Sequence, residues 1–420
     1  MNILIFEAYT DANVGSCALV ENAITELRSR FPEASIKVMA HRPEYFNRLY
    51  GVETFADIFR YPFLQPRFSQ YLWLLKTILW MVSCWIVAPF FEPGKHTAKG
   101  VPFRNKLMPF LWADIAISVG AERINDKYFK NILFSLYTYS LVKRLKKKLI
   151  LFPSTIGPFI FIWSRYFAER VLRKIDLIYT RDQLSAEITE GLIGADSGNI
   201  CKTIDLAVLQ KWIPRKEAFQ MIPANEMDKI IGISAMRWSY FRNSIETPFS
   251  NYEAYLKEMI YLADTLIDIY KIKIVFYPTN FNVHGCREDD LATALEIKDR
   301  MKRSQEVTVV DKLPTPAQLK GMLACSEVNI TTRMHACILS TGSGVPTISI
   351  NYLFKVREYM NSLGLSDFSK DIEEFNAEWA LKAFARIWPE RKRWRKTIIS
   401  AIESKSEELS IALDRMYDII

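Results

Sequence analysis

The stretch from Glu327 to Lys355 reads EVNITTRMHACILSTGSGVPTISINYLFK. Glu327 to Thr331 is a short run of β-forming residues, and Met334 to Ser343 carries apolar positions at helical spacing. Gly342-Ser343-Gly344-Val345-Pro346 then turns the chain into a second strand, Pro346 to Ile350. Strand, turn, helix and strand is the repeating unit of a parallel α/β sheet, because parallel neighbours need a crossover long enough to hold a helix. Ligands in such sheets bind beyond the carboxyl ends of the strands. The pattern puts Thr332, Arg333, Met334 and His335 there, at a strand end and the first turn of a helix. Backbone N–H groups and the helix dipole favour an anion at that place. An arginine fork suits phosphate or carboxylate, and a histidine holds or delivers a proton near neutral pH. The bland alternative is a structural histidine beside a salt-bridged arginine.

The same alternation extends in both directions. Upstream it predicts strands at 229–234, 273–277 and 307–310, with helices at 252–270, 292–302 and 316–324. At the other end Ile3 to Tyr9 reads as a strand, followed by the turn Thr10-Asp11-Ala12-Asn13-Val14-Gly15-Ser16 and a helix to Phe31. Further strands are predicted at 35–39, 115–119, 148–152 and 177–179, with a helix over 132–146. A chain of 420 residues exceeds what one hydrophobic core fills. The expected organisation is a Rossmann-like domain over 1–212, a proline-marked linker over 213–226, a second Rossmann-like domain over 227–370 and a helical segment over 371–420. The predicted fold class is α/β, two doubly wound parallel sheets facing a cleft in the GT-B layout.

Composition narrows the function classes. Half the residues are hydrophobic and 24% are charged, which excludes a disordered chain. The net charge of +8 points to anionic partners, but it is scattered and no nucleic-acid motif is present, so no nucleic-acid partner is expected. The six cysteines lie far apart, with no CxxC pair and no metal-ligand spacing, so no metal is expected. The N-terminus reads as a strand rather than a secretory signal, and a cytoplasmic location is expected.

One segment does not fit a soluble domain. Tyr71 to Phe91 reads YLWLLKTILWMVSCWIVAPFF, within a predicted hydrophobic helical insertion spanning about 62–110. Its length suffices for a membrane span. Lys76, Pro89 and the strands on both sides favour instead a monotopic helix or helical hairpin lying in the interface at the cytoplasmic face of the membrane, anchored by Trp73, Trp80 and Trp85. The alternative is a buried helix of the first domain. Trp388 to Lys396, WPERKRWRK, reads either as a second contact with anionic headgroups or as a solvated helix face.

Over roughly residues 1 to 365 the chain resembles the polysaccharide pyruvyl transferases. Arg333-Met334-His335 with its Gly-Val-Pro sequel resembles the family's Arg-x-His signature. Asn13-x-Gly15, Ser154-Thr155-Ile156-Gly157-Pro158-Phe159, the segment ending in Arg181-Asp182, and Asp205-Leu206-Ala207 resemble further family motifs, and Asp289-Asp290 falls where paired acids are common. Gly15-Ser16 departs from the usual Gly-Asp, and Gly120, between Val119 and Ala121, departs from the usual run of glycines.

The resemblance implies an enzyme that transfers pyruvate from phosphoenolpyruvate to a hydroxyl pair of a polysaccharide or lipid-linked sugar. It implies no cofactor beyond phosphoenolpyruvate as co-substrate. Donor binding then falls to Arg333, Met334, His335, Arg237 and Lys355, because a phosphate and a carboxylate need at least two cationic anchors. His335 is the expected acid, with Asp11, Glu122 and Asp126 as unranked bases. Asn13, Gly15, Ser16, Gly120 and Glu122 are expected on the acceptor side. Two alternatives stay open. One is a GT-B nucleotide-sugar glycosyltransferase, holding ribose through Asp289 or Glu288; the other is a non-catalytic membrane-associated sugar-binding or scaffold protein.

Overall fold

A computed structural model describes residues 1–60, 66–91, 104–223, 228–237, 248–283 and 289–420. The chain divides into two compact units, the first comprising Met1–Asp11, Leu19–Leu206 and Glu408–Ile420, the second Ala12–Ala18 and Ala207–Glu407.

Unit 1 is built on β1 (Asn2–Ala8), β2 (Ser35–Ala40), β3 (Glu53–Ala56), β4 (Ile115–Ser118), β5 (Ala121–Ile124), β6 (Lys148–Ile156), β7 (Leu177–Thr180) and β8 (Ile200–Lys202). Its helices are α1 (Val14–Arg30), which starts in the unit 2 segment, then α2 (Pro43–Tyr50), α3 (Arg67–Val87), α4 (Arg104–Trp112), α5 (Phe129–Arg144), α6 (Ile162–Leu172) and α7 (Gln183–Ile193). The sheet is parallel throughout, in the order β3-β2-β1-β4-β6-β7-β8, with β5 paired to β6. β1, β4 and β6 are apolar along most of their length because helices cover both faces, and Leu4, Phe6, Ala116, Leu149 and Leu151 join one core cluster.

Unit 2 comprises α8 (Arg215–Gln220), β9 (Ile230–Ser234), α9 (Pro248–Tyr270), β10 (Lys273–Phe276), α10 (Asp290–Arg300), β11 (Val307–Val309), α11 (Pro316–Ala324), β12 (Val328–Thr331), α12 (Met334–Thr341), β13 (Thr347–Asn351), α13 (Phe354–Ser362), β14 (Ser369–Asp371) and α14 (Ala377–Asp414). Its parallel sheet runs β11-β10-β9-β12-β13-β14. Both sheets are doubly wound, as expected.

Two boundaries differ from the sequence reading. The described part of 213–226, expected as a linker, packs on unit 2: Ile213 N donates to Ala317 O at 3.3 Å, and Ala218, Phe219 and Ile222 are buried in its core. The segment 371–420 is mostly helix, as α14, and is divided between the two units. α14 belongs mostly to unit 2, while its end packs in unit 1, where Tyr179 Oη donates to Ala412 O at 3.2 Å.

Within the hydrophobic insertion, α3 buries only a narrow stripe, Thr77, Trp80 and Cys84. That spacing is one helix face. Tyr137 of α5 donates to Met81 O at 2.8 Å and holds the helix in place. Trp80, expected as a membrane anchor, is instead a core residue, whereas Trp85 is exposed. In the basic stretch of α14, Arg391 pairs with Glu327 at 2.7 Å and the rings of Trp388 and Phe384 stack at 5.2 Å, while Lys392, Arg393 and Lys396 are exposed.

Candidate functional site

In unit 2 the winding direction reverses between β9 and β12, and ligands of open α/β sheets bind at such a switch point. β9 runs into Ala235-Met236-Arg237 and β12 into Thr332-Arg333. Thr332 N donates to Ser234 O at 2.8 Å. Tyr255 of α9 ties the two strand exits together: its hydroxyl hydrogen-bonds Thr332 Oγ1 at 2.9 Å and accepts from Met236 N at 3.4 Å. Burial pushes its phenol well up, so it stays neutral.

Arg333 is the N-cap residue of α12 and is buried. Its Nη2 donates to Asp290 Oδ1 at 2.7 Å, and its Nε lies 3.2 and 3.1 Å from the two carboxylate oxygens. Asp290 is fully buried and also accepts from Thr279 Oγ1 at 2.9 Å and Asn280 N at 3.0 Å. The loop after β10 and the first residue of α10 thus aim the guanidinium through a carboxylate that cannot swing. Arg237 follows β9 and is exposed, its Cζ 5.7 Å from the Tyr252 ring. Lys355, buried in the first turn of α13, has Nζ 5.6 Å from the Tyr352 ring. The three donor-side cations therefore follow the carboxyl ends of β9, β12 and β13, neighbouring strands of the sheet.

Met334 and His335 open α12, Met334 buried and His335 half-buried. A segment expected on the acceptor side lies against this histidine. Asn13 bridges Asn280 in antiparallel fashion, Val14 N donates to Thr279 O at 3.0 Å and Phe281 N to Ala12 O at 2.9 Å. Asn13 Oδ1 caps α1 by accepting from Ser16 N at 2.8 Å. Gly15 then sits so close that a Cβ there would fall 2.1 Å from His335 Nδ1. Asn13, Gly15 and Ser16 thus belong to unit 2, because the backbone of 12–14 bonds to the exit of β10 and Gly15 clears the ring.

The remaining predicted residues lie in unit 1. Gly120 has φ 93, and a Cβ there would meet Pro153 O at 2.6 Å, so glycine is required. Glu122 is half-buried on β5. Asp11 accepts from Thr10 Oγ1 at 2.9 Å and lies 3.6 Å from Arg42 Nη1. Asp126 is a loop-forming residue: Oδ2 accepts from the backbone N of Ile160 at 2.5 Å and of Phe161 at 2.8 Å. The other motifs form one buried network. Arg181 donates to Asp205 Oδ2 at 2.7 Å and to Thr155 Oγ1 at 2.8 Å, Thr155 reaches Asp182 at 3.1 Å, and Asp182 caps α7. Asp289 caps α10 by accepting from Ala292 N at 3.2 Å, and Glu288 lies outside the described residues. Among the described residues no group of three or more histidine, cysteine or acidic side chains is placed to hold a metal ion. Tyr255 and Thr279 carry no sequence signal, since an ordinary polar residue of a helix and one of a loop acquire their role only when the sheet assembles.

A family model for polysaccharide pyruvyl transferase matches residues 13–353. The chain is 22% identical over 390 residues to the amylovoran biosynthesis protein AmsJ of Erwinia amylovora, covering 89% of this chain and 88% of that one. Among solved structures it is similar to UDP-GlcNAc 2-epimerase from Neisseria meningitidis bound to UDP-GlcNAc, with a TM-score of 0.57 at 11% identity, covering 97% and 99% of the two chains. Anabaena HepE in complex with UDP gives a TM-score of 0.55 at 10% identity, covering 100% and 99%. At such identities the likeness is one of fold, the GT-B type.

Proposed function

The chain belongs to the polysaccharide pyruvyl transferase family, and on that footing we propose that it transfers pyruvate from phosphoenolpyruvate to a hydroxyl pair of a saccharide, forming a ketal. Carbon 3 of the enol gains a proton, two sugar oxygens bond to carbon 2, and the bond from carbon 2 to the phosphate oxygen breaks. Of the two hydroxyl protons, one is balanced by the new methyl group and the other leaves with phosphate. The observation that supports this donor is the Arg333–His335 helix start, with the guanidinium aimed by Asp290 and the imidazole lodged against Gly15. Arg333, Arg237 and Lys355 supply positive charge for a phosphate and a carboxylate, and the N-terminus of α12 adds its backbone N–H groups. His335 delivers or holds the proton. The exposed apolar face of α3 supports a lipid-linked acceptor met at the cytoplasmic membrane surface.

Thermal unfolding tests the donor. Phosphoenolpyruvate raises the melting temperature of the native protein by mass action, and UDP-GlcNAc does not. Arg333→Ala abolishes the shift, while His335→Ala keeps it and loses turnover by roughly 10²-fold or more. A shift with UDP-GlcNAc and none with phosphoenolpyruvate overturns the donor in favour of a nucleotide-sugar enzyme.

A further inference from the structure

Unit 1 has its own switch point, between β1 and β4, where the strand order turns from β3-β2-β1 to β4-β6. Glu7, one residue before the end of β1, stands there with φ 64, in the left-handed region that L side chains rarely adopt. Such strain is retained where the surroundings enforce it, often at ligand sites. Its carboxylate is ringed by hydroxyls. Oε2 accepts from Ser118 Oγ at 2.5 Å and Tyr139 Oη at 2.7 Å, and Oε1 accepts from Ser135 Oγ at 2.5 Å. A carboxylate offers about four acceptor positions, so Oε1 keeps one.

A cavity of about 70 Å³ opens beside it, lined by Glu7, Ser135, Arg123, Asp57, Phe59 and Phe134 among others. A water needs about 10–15 Å³ on this scale, so the space admits a hydroxymethyl arm and not a sugar ring. Arg123 donates from Nη2 to Glu7 O at 3.0 Å, and its Cζ lies 5.9 Å from the ring of Tyr9, which is exposed and stacked on His41 at 5.9 Å. Burial holds the His41 imidazole below its usual range; Asp57 opposes this, and Arg60, Arg123 and Arg42 add to it. Glu7, His41, Asp57 and Ser118 come from the ends of four adjacent strands, β1, β2, β3 and β4. Aromatic face, carboxylate and guanidinium around a small polar hole are the chemistry of polyol recognition.

We propose that this pocket is an acceptor subsite: it takes the hydroxymethyl arm of a hexopyranose, whose hydroxyl donates to Glu7 Oε1 while Arg123 donates to a neighbouring sugar oxygen. The proposal rests on the pyruvyl-transfer reading for the identity of the ligand as a saccharide. Binding of methyl hexopyranosides of gluco and galacto configuration, and of their 6-deoxy counterparts, is measured by saturation-transfer NMR on the full chain. At least one hexoside binds, and its 6-deoxy counterpart binds tenfold or more weaker. That discrimination disappears in Glu7→Gln and in Glu7→Gly, the second of which also removes the backbone strain. Arg123→Gln, which leaves the Glu7 side chain in place, weakens the hexoside tenfold. Equal binding of the 6-deoxy sugar, unchanged discrimination in the Glu7 variants, or no hexoside binding to the wild type overturns the subsite. The phosphoenolpyruvate melting shift is recorded on the same samples: its absence refutes the donor, and its presence beside failed sugar discrimination refutes the subsite alone.

Discussion

Gly15 is a position where one methyl group decides whether the site assembles. A Cβ there would sit 2.1 Å from His335 Nδ1 and 2.2 Å from Cγ, well inside contact distance. Either the imidazole turns away or segment 12–14 lifts from Thr279 and Phe281. Gly15→Ala is expected to lower turnover by about 10²-fold, the scale of a 1 Å misplacement of a reacting group, with overpacking costing about 1–3 kcal/mol of stability. Steady-state kinetics beside thermal unfolding separates the two, since the melting shift with phosphoenolpyruvate persists if Arg333 is undisturbed. Unchanged turnover would show that the contact with Gly15 does not hold His335 in a reactive position. Arg333 and His335 were legible in the sequence because they follow a strand and open a helix. The Gly15 contact was not, because residues 320 positions apart meet only after unit 2 has folded around the 12–18 segment.

Among elements, strands covered on both faces were the readable ones. β1, β4, β6 and β9 are near-continuous apolar runs, and β12 (Val328-Asn329-Ile330-Thr331) and β13 (Thr347-Ile348-Ser349-Ile350-Asn351) are buried throughout although they alternate with polar residues, whereas β3, Glu53-Thr54-Phe55-Ala56, and β14, Ser369-Lys370-Asp371, are short, partly exposed strands at sheet edges. α11 hides a different exception. Lys320 on this helix is almost fully buried, donates from Nζ to Gln210 O at 2.5 Å and lies 4.5 Å from the Trp212 ring. Burial pulls its ammonium down to about 7. Between that value and the unfolded-chain value near 10.5 the unfolded state binds more protons, so stability rises with pH; below about 7 the burial cost is borne in full. Lys320→Met should therefore raise the melting temperature most at pH 6, and the gain should shrink by pH 9.5. A gain that is flat across that range in calorimetry would show that Lys320 stays charged in the fold.

At the scale of the whole molecule, the unusual feature is how much apolar surface unit 1 leaves uncovered. Arg67–Phe90 is long and apolar enough to cross a membrane, yet only 22% of its most apolar window is buried; a core helix would be mostly covered. Phe68, Leu75, Leu79, Ile86 and Phe90 are exposed along it. α5 contacts both α3 and α6, and at the start of α6 Ile160 and Ile162 are exposed at 78% and 89%. The buried carboxylate of Asp126 fixes that loop by two backbone hydrogen bonds, so the apolar tip is held out rather than merely loose. Trp80 is part of the core, which removes it from the surface contact and makes the choice of variant matter. Burying the exposed face in a bilayer interface contributes on the order of several kcal/mol at about 25 cal/mol per Å². Exposed basic residues add about 1 kcal/mol each near anionic lipid, a contribution that salt screens. The full chain should float with vesicles of phosphatidylethanolamine and phosphatidylglycerol, resist release by 1 M salt, and come off in detergent. Leu75→Ser, Leu79→Ser and Ile86→Ser together should abolish flotation with little change in melting temperature, since none of the three is in the core, and Ile162→Ser should weaken it independently. Flotation unaffected by all four substitutions, or a wild-type protein that stays with the soluble fraction, would refute membrane attachment through this face.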